Sequence, residues 1–313
     1  MSGFRNPPLE VAVLGAAAVD WVARVNALPR KDGIAWADRY EPFPGGSGAN
    51  MASAIAHLGK SVRFIGRLGD DEGGQILWQA FQADGVDTSA VRIEKGCRSA
   101  SCFIAVDSLG EREIYCLGGV ALYDQPADLA PEWFEGLQVL AIADAYPEVA
   151  LSAIELAGGQ TKVVFTPGGL MAGLPKSDLD RLLSKSQAVI VSRVEAEKIS
   201  GRNIPEDAIR DLVGRGSKVV IVTLGERGVL MWDGESMIAV PACKVETIVD
   251  TTGAGDAFSA GFMVGIIEGM DWISAAKLGN AVSSMKIGYF GARNGVPNLQ
   301  QAMGWIKQQG ITR

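Results

Sequence analysis

The chain has 313 residues and a formal net charge of −7 at pH 7. Hydrophobic residues make up 48% of the sequence and charged residues 21%, a composition that excludes intrinsic disorder. The negative charge argues against partners that are bound by bulk electrostatics, namely nucleic acid and anionic membranes.

The rare residue types exclude further classes of protein. The single histidine, His57, and the lack of clustered cysteines argue against a conventional zinc site and against Ser-His-Asp chemistry. The four cysteines include no C-x-x-C pair, which predicts reduced thiols in a cytoplasmic protein. The apolar run at 257–267 is too short to span a membrane.

Short apolar runs predict six buried strands, the pattern of a parallel sheet that is covered on both faces. In chain order they are residues 11–14, 62–65, 139–142, 163–165, 188–191 and 219–222. The predicted helices are residues 50–58, 73–83, 179–185, 195–200, 206–215, 254–268, 272–287 and 299–308. Because strands and helices alternate up to residue 222, we predict a doubly wound, mostly parallel α/β sheet with helices on both faces.

Two regions interrupt the alternation with strand-like stretches that have no helix between them. They lie at about 21–44 and 97–120, and the second has the pattern of a hairpin with its turn at 107–110. We predict that they form a small antiparallel lid on a single domain, 1–313; an edge extension of the main sheet is the alternative. Because lid strands have free edges, a homodimer through the lid is expected.

A glycine-rich segment, D-T-T-G-A-G-D at 250–256, precedes an apolar helix. Its small residues Gly253, Ala254 and Gly255 leave backbone N–H groups exposed at the helix N-terminus. With the helix dipole, these amides form an anion hole suited to a phosphoryl group. Asp256 lies in the first turn at the same place, where a purely capping role is the alternative.

A second segment, G-G-S-G-A-N at 45–50, also leads into a helix. Its glycines permit close approach of a ligand, and Ser47 and Asn50 carry groups that hydrogen-bond hydroxyls; an ordinary loop and cap is the alternative. Neither segment completes G-x-G-x-x-G, because Met51 and Phe258 stand at the third glycine position. A Rossmann dinucleotide site is therefore not supported.

Together the two segments resemble the ribokinase (PfkB) family of carbohydrate kinases, which pairs a Gly-Gly segment ending in Asn with a D-T-x-G-A-G-D signature. The resemblance covers nearly the whole chain, with further matches at 15–20, 67–71 and 223–228 and at Asn280. It implies a ribokinase-like fold and ATP-dependent, Mg²⁺-requiring phosphorylation of a hydroxymethyl group on a small sugar.

The resemblance also implies residue roles. Asp256 would be the general base, and the amides of 253–255 would hold the developing charge. The residues that match the sugar site are Asp20, Gly46, Ser47 and Asn50. Those that match the nucleotide site are Ser192, Thr223, Gly225, Gly228 and Asn280. Glu195 would organise Mg²⁺ through water, and Asp250 and Thr252 match the position of a K⁺ ion.

The sequence departs from the family pattern at two positions. Ser192 replaces the usual Asn of N-x-x-E, which predicts altered nucleotide or Mg²⁺ affinity because a hydroxyl reaches less far. Ser47 stands where ribokinase itself has Lys, which leaves ketohexoses, other sugars and nucleosides open as acceptors. A nucleoside kinase, favoured by an apolar, aromatic-lined acceptor pocket, is one alternative; a non-catalytic sugar- or nucleotide-sensing protein is another.

Overall fold

The centre of the molecule is a nine-stranded sheet, seen in a computed structural model that describes residues 9–108 and 111–309. Its strands are β1 (Val11–Gly15), β4 (Val62–Gly69), β5 (Asp87–Glu94), β8 (Val139–Ala143), β9 (Lys162–Phe165), β10 (Ala188–Ser192), β11 (Val219–Thr223), β12 (Val229–Trp232) and β13 (Met237–Val240). They lie in the order β13-β12-β11-β10-β9-β8-β1-β4-β5, and every pair is parallel except β11–β12 and β12–β13.

All six strands predicted from apolar runs are confirmed. Strands β1 and β8 are buried at every position, because both of their faces are covered. Strand β5 was not predicted: it lies at the sheet edge, its sequence is largely polar, and only Ala90 is buried. A strand that buries one residue carries too weak an apolar signal to be found from sequence.

Helices cover both faces of the sheet. They are α1 (Ser47–His57), α2 (Glu72–Asp84), α3 (Pro147–Ala157), α4 (Gly168–Met171), α5 (Lys176–Lys185), α6 (Arg193–Ser200), α7 (Pro205–Gly214), α8 (Ala254–Ile267), α9 (Trp272–Lys286) and α10 (Leu299–Gln308). One hydrophobic cluster joins α1, α2, α8, α9 and α10 to one face, and a second joins α3, α5, α6 and α7 to the other. Within the described ranges no helix combines the length and apolarity that crossing a membrane requires.

A separate four-stranded sheet contains the two strand-rich regions. Its strands are β2 (Ala18–Val25), β3 (Ala37–Gly45), β6 (Ser101–Val106) and β7 (Arg112–Gly118), in the order β3-β2-β6-β7. The outer pairs are antiparallel and the central β2–β6 pair is parallel. This small sheet is therefore not an edge extension of the large one. Residues 109 and 110 of the predicted hairpin turn lie outside the described ranges, as do residues 1–8 and 310–313.

The predicted fold class is confirmed, and the topology indicates where a ligand is expected to bind. The strand order reverses between β8 and β1, since β1 leads outward to β4 on one side and β8 leads to β9 on the other. In open α/β sheets ligands bind beyond the carboxyl ends of the strands at such a switch point. The segments that follow Gly15 and Ala143 therefore border the crevice.

Candidate active site

Asp256 connects the two glycine-rich segments. Its carboxylate accepts hydrogen bonds from Ser47 Oγ at 3.0 Å and from Asn50 Nδ2 at 2.8 Å. Both donors lie in α1, so the N-terminal turns of α1 and α8 meet although they are far apart in sequence. Among the described residues no side chain caps α8, whose N-cap is Gly253, and the capping alternative for Asp256 is not what the geometry shows.

At three positions in the two glycine-rich segments, close contacts or a positive φ favour glycine over any other residue. Gly253 has a φ of 74°, and a Cβ on it would lie 2.4 Å from the carbonyl oxygen of Ala292. A Cβ on Gly45 would lie 2.3 Å from Asp20 Oδ2, and Gly46 has a φ of 89°. At these three positions the backbone has no room for a side chain, whereas a Cβ on Gly255 would meet nothing within 4 Å.

A cleft of about 120 Å³ opens beside Asp256 at the ends of β10 and β11. Its lining brings together residues predicted for the base, the anion hole, the sugar, the nucleotide and the metal. They are Ser47, Ser192, Glu195, Thr223, Gly255 and Asp256. Predicted residues from four separate parts of the sequence thus face one small space.

The environment of Asp256 makes its carboxyl a weaker acid than usual. Desolvation raises the pKa of Asp256 to about 6, and the charge of Glu195 adds to this effect. Hydrogen bonds from Asn50 and Ser47 and the charge of Arg293 act in the opposite direction. The raised value brings Asp256 close to neutral pH, where a carboxylate accepts a proton most readily while still ionised.

Asp144 is a further carboxylate that sequence reasoning missed; it does not line the cleft but lies close enough to Asp256 and Glu195 to feel their charges. It directly follows β8, and its φ of 57° is rare for a residue other than glycine. It is 8% exposed, and desolvation together with Asp256 and Glu195 raises its pKa to about 7. The signal that could have found it is its position directly after a buried strand.

Ser192 and Glu195 form a capping box at the start of α6. Ser192 Oγ accepts a hydrogen bond from the Glu195 backbone N–H at 3.2 Å, and Glu195 Oε2 accepts one from the Ser192 N–H at 2.7 Å. The pattern S-x-x-E is the sequence signature of this motif, so this part of their role was readable in advance. Ser192 therefore satisfies the helix end, whatever it does toward a ligand.

The acidic groups of the cleft fit a Mg²⁺ ion that is held mainly by water and phosphate. Such ions commonly use one or two carboxylates and keep several waters. Within the described ranges no group of three acidic, histidine or cysteine side chains is arranged to hold a metal alone. Glu195 Oε1, however, has no hydrogen-bond partner in the described part of the chain, and a dication would relieve the repulsion among Asp144, Glu195 and Asp256.

Three predicted nucleotide residues lie outside this cleft. Asn280 is buried, and its Nδ2 donates to the carbonyl oxygens of Val240 at 3.2 Å and Pro241 at 2.9 Å. Gly228 packs against the same strand end, since a Cβ there would lie 2.2 Å from the Val240 oxygen. Gly225 begins the short turn after β11. The amide of Asn280 therefore holds the segment after β13 in place.

A larger pocket of about 370 Å³ lies between the small sheet and the start of α8. Asp20 stands in it, and desolvation raises the pKa of Asp20 to about 6, against the charges of Arg293 and Arg112. The walls are mostly apolar, and the rings of Phe43 and Phe290 meet edge to face with centroids 5.4 Å apart. The apolar lining comprises Val22, Phe43, Ile104, Val106, Ile248, Val249, Phe290 and Ala292.

The two residues predicted to hold K⁺ lie at the edge of this pocket and already have hydrogen-bond donors. Asp250 Oδ1 accepts from the Thr252 N–H and Oδ2 from the Gly291 N–H, both at 2.8 Å. Thr252 Oγ1 accepts from Arg112 Nη1 at 3.2 Å. Burial alone would raise the pKa of Asp250, but these hydrogen bonds outweigh it and hold the pKa below its ordinary value.

Arg293 is the second residue that sequence reasoning missed. It is 8% exposed, and its guanidinium donates to Asn50 Oδ1 at 3.0 Å, to Ser53 Oγ at 3.1 Å and to the Gly45 oxygen at 3.1 Å. Asn50 in turn donates to Asp256, so Arg293 fixes the amide that holds the carboxylate. The partners are more than 200 residues away in sequence, and no local pattern indicates such a contact.

The fold and this cleft are those of an α/β protein with a carboxylate at a helix N-terminus, a place that favours anions. Comparison with known proteins makes the class specific. Residues 9–299 match the pfkB family carbohydrate kinases. The aminoimidazole riboside kinase of Salmonella typhimurium is 33% identical over 97% of this chain and 97% of its own length.

Solved structures agree with the family match. Thermotoga maritima ribokinase superposes with a TM-score of 0.86 at 25% identity, covering 96% of this chain and 99% of that one. A putative ribokinase II from E. coli, determined with ATP and Mg²⁺, has the same fold, with a TM-score of 0.81 at 21% identity over 96% of this chain and 99% of that one. This chain belongs to the pfkB family of carbohydrate kinases. It is an ATP-dependent kinase of the ribokinase type that acts on sugars or nucleosides.

Proposed function

We propose that the chain transfers the γ-phosphoryl group of ATP to a hydroxymethyl oxygen of its acceptor, with Asp256 as the general base. The observation that carries the proposal is the Asp256 carboxylate, held by Ser47 and Asn50 at the N-terminus of α8. The acceptor oxygen forms a bond to the γ-phosphorus while the bond from that phosphorus to the β,γ-bridging oxygen breaks. Asp256 takes the hydroxyl proton, and ADP leaves.

The backbone amides of residues 253–255 supply the anion hole in this proposal. Helix α8 begins there with no side-chain cap and with its positive dipole end, which suits the charge on a transferring phosphoryl group. Of the three N–H groups, that of Ala254 donates to the Thr251 carbonyl oxygen at 3.1 Å. Asp20, Gly46, Ser47 and Asn50 form the acceptor site. Because Ser47 and Asn50 also bind Asp256, acceptor and base are aligned by the same two side chains.

The nucleotide lies on the other side of Asp256 in this proposal. Ser192 and Thr223 line the small cleft, while Asn280 and the turn that contains Gly225 and Gly228 shape the surface next to it. Glu195 is the carboxylate that organises Mg²⁺ through water. When bound, the ion offsets phosphate charge, and the free oxygen of Glu195 orients its water shell.

The acceptor pocket favours a nucleoside or a related riboside over a free sugar. A free sugar needs hydroxyl partners on every side, whereas this pocket has polar groups near Asp20 and an apolar, aromatic wall around Phe43 and Phe290. A flat ring attached to ribose would cover that wall. The similarity to a riboside kinase supports the same class.

The small sheet serves as the lid of this pocket and as a dimer surface in the proposal. Its face away from the pocket carries a row of four rings, Trp21, Tyr40, Phe103 and Tyr115, with adjacent centroids 5.7, 6.4 and 6.3 Å apart. Tyr40 and Tyr115 are each more than half exposed. A second copy would cover this aromatic row, and light scattering at micromolar concentration that gives a monomer mass would contradict the dimer.

A cytoplasmic location also stays a proposal. It is supported by the four cysteines, all of which are free thiols in the structure.

The test measures ADP release from Mg-ATP with free sugars, sugar phosphates and nucleosides as acceptors. It is carried out on the wild type, on Asp256→Asn and on a control variant, Glu235→Gln, which changes an exposed carboxylate. We expect turnover on at least one riboside, loss in Asp256→Asn, and wild-type rates in Glu235→Gln. Mg-ATP binding without turnover on any acceptor would instead support a sensing protein that has lost its chemistry.

A further inference from the structure

Lys286 is a buried lysine that the proposed reaction does not use. It lies in the last turn of α9 and is 0% exposed. Its ammonium donates to the backbone oxygen of Asp250 at 3.1 Å, and within the described ranges no carboxylate lies close enough to form an ion pair with it. A lysine buried without an ion-pair partner is rare and calls for an explanation.

Stability does not explain this lysine. Removing an ammonium from water is unfavourable unless several acceptors surround it, and Lys286 has a single carbonyl. Desolvation therefore lowers the pKa of Lys286, while the more distant charges of Asp250 and Asp256 act in the opposite direction. A methionine of similar size would fill the same space without that penalty.

The position of the ammonium indicates what it does instead. The oxygen that it binds belongs to the peptide between Asp250 and Thr251, at the start of the segment that ends in Asp256. In a trans peptide the N–H points opposite to the C=O, so the Thr251 N–H faces away from Lys286. The Asp250 carboxylate fixes the same turn from the other side through Thr252 and Gly291.

Four oxygens of the two residues that the sequence analysis assigned to K⁺ have protein donors. The two carboxylate oxygens of Asp250 accept backbone N–H groups, its carbonyl oxygen accepts from Lys286, and Thr252 Oγ1 accepts from Arg112. A soluble cation at these atoms would compete with donors that are already in place and would be repelled by the ammonium of Lys286. The positive charge at this position is therefore part of the chain.

We propose that Lys286 is a positioning residue for the phosphate-binding segment 250–256: its ammonium is a permanent cation beneath the N-terminus of α8, so the kinase needs no monovalent cation. The inference rests on the proposed phosphoryl transfer. A fixed charge there favours binding of the γ-phosphate and holds the amides of 253–255 in the orientation that receives it.

The experiment compares wild type, Lys286→Met and Lys286→Ala with Lys307→Met as the control. Lys307 lies in the last turn of α10 but is exposed. Each protein is assayed for ADP release in K⁺ and in tetramethylammonium at constant ionic strength. For each protein the affinity for Mg-ATP, the affinity for AMP and the thermal midpoint are also measured. None of these measurements requires turnover.

For the wild type and Lys307→Met we expect equal rates in the two salts. The kcat of Lys286→Met should be about tenfold lower than that of wild type. This loss is smaller than the one expected when a hydrogen-bond donor that contacts the developing charge directly is removed. Its preference for Mg-ATP over AMP should fall by a similar factor, with a thermal midpoint equal to or above that of wild type. Lys286→Ala leaves space for an ion, so K⁺ or ethylammonium should restore part of its rate.

Two results would overturn the inference. One is wild-type activity that K⁺ stimulates severalfold over tetramethylammonium. The other is a Lys286→Met protein that loses activity only in proportion to lost stability, with no rescue in Lys286→Ala, since that is what a merely structural lysine would give. If the wild type binds Mg-ATP but phosphorylates nothing, the proposed function fails. The ratio of Mg-ATP to AMP affinity then still tests Lys286 by itself.

Discussion

Two buried cations interact electrostatically with Asp256 and differ in their surroundings. The guanidinium of Arg293, which binds the Asn50 of the proposed acceptor site, donates to three oxygens and lies 5.5 Å from the centroid of the Phe81 ring. The ammonium of Lys286, at the proposed phosphate-binding segment, has one carbonyl acceptor. Arg293 is thus held as a structural group is, whereas Lys286 keeps unused donor capacity next to the proposed phosphate-binding segment. Two buried cations can therefore have different roles. Several acceptors around the charge indicate a structural role, whereas a single acceptor indicates a role in function.

The largest expected effect comes from the carboxylate that interacts with both cations. Asp256→Asn should lower kcat by about 10²–10⁴-fold, the usual contribution of a positioned base, with KM for Mg-ATP little changed. Steady-state kinetics with the best acceptor measures this. A variant that retains a third of the wild-type rate would mean that another group takes the proton.

The same substitution should stabilise the fold at high pH. Because desolvation raises the pKa of Asp256 to about 6 from an ordinary value of 3.8, ionising it in the folded protein is unfavourable, and wild-type stability falls as pH rises through that interval. At pH 8 Asp256→Asn should therefore be more stable by about 1–3 kcal/mol, and the gain should vanish near pH 4. Urea unfolding at the two pH values tests this, and an equal difference at both would contradict it.

Arg293→Met and Lys286→Met should differ in their effect on the free energy of unfolding. Removing one partner of a buried charged network commonly lowers the free energy of unfolding by about 3–5 kcal/mol. Asn50 Oδ1, Ser53 Oγ and Asp84, whose carboxylate lies 3.9 Å from the guanidinium, would lose their charged neighbour. Lys286→Met should show no such loss, and equal destabilisation by both variants would remove the distinction.

Arg293 should also affect the pH dependence of the reaction. The wild-type kcat is expected to fall as pH drops through about 6, because the base must be ionised and desolvation sets its pKa there. The charge of Arg293 lowers that pKa, so Arg293→Met should move the acid limb of the kcat profile to higher pH. If the acid limb of the kcat profile lies at the same pH in Arg293→Met and in wild type, Arg293 acts through its hydrogen-bonding geometry and not through its charge.

Substitutions of Ser192 should have the smallest effects. They distinguish its role as the N-cap of α6 from a contact with the nucleotide. Ser192→Ala removes the side-chain cap of α6 and should lower the free energy of unfolding by about 1 kcal/mol. Ser192→Asn keeps a capping side chain, so stability should stay within about 0.5 kcal/mol of wild type while the KM for Mg-ATP changes. Thermal unfolding and ATP titrations measure both, and unchanged KM in Ser192→Asn would leave Ser192 with the cap only.

Much of this molecule follows from local sequence pattern. Buried parallel strands and amphipathic helices carry their own apolar signal, and the two glycine-rich segments indicate where backbone meets a ligand. Edge strand β5 and the parallel pairing within the small sheet have no such signal. Arg293 and Lys286 lie after or at the end of α9, where an arginine or a lysine is unremarkable. Their contacts with Asn50 and Asp250 exist only once the helices have packed, so a single sequence does not reveal them.

The most direct test of the account is the product of the reaction itself. Wild type and Asp256→Asn are incubated with Mg-ATP and the best riboside acceptor at pH 8, and the product is followed by phosphorus NMR. The account predicts a phosphomonoester on the hydroxymethyl oxygen, formed with one ADP per product by the wild type and at a rate at least about 10²-fold lower by Asp256→Asn. Equal product formation by the two proteins, or a phosphate on another oxygen, would contradict it.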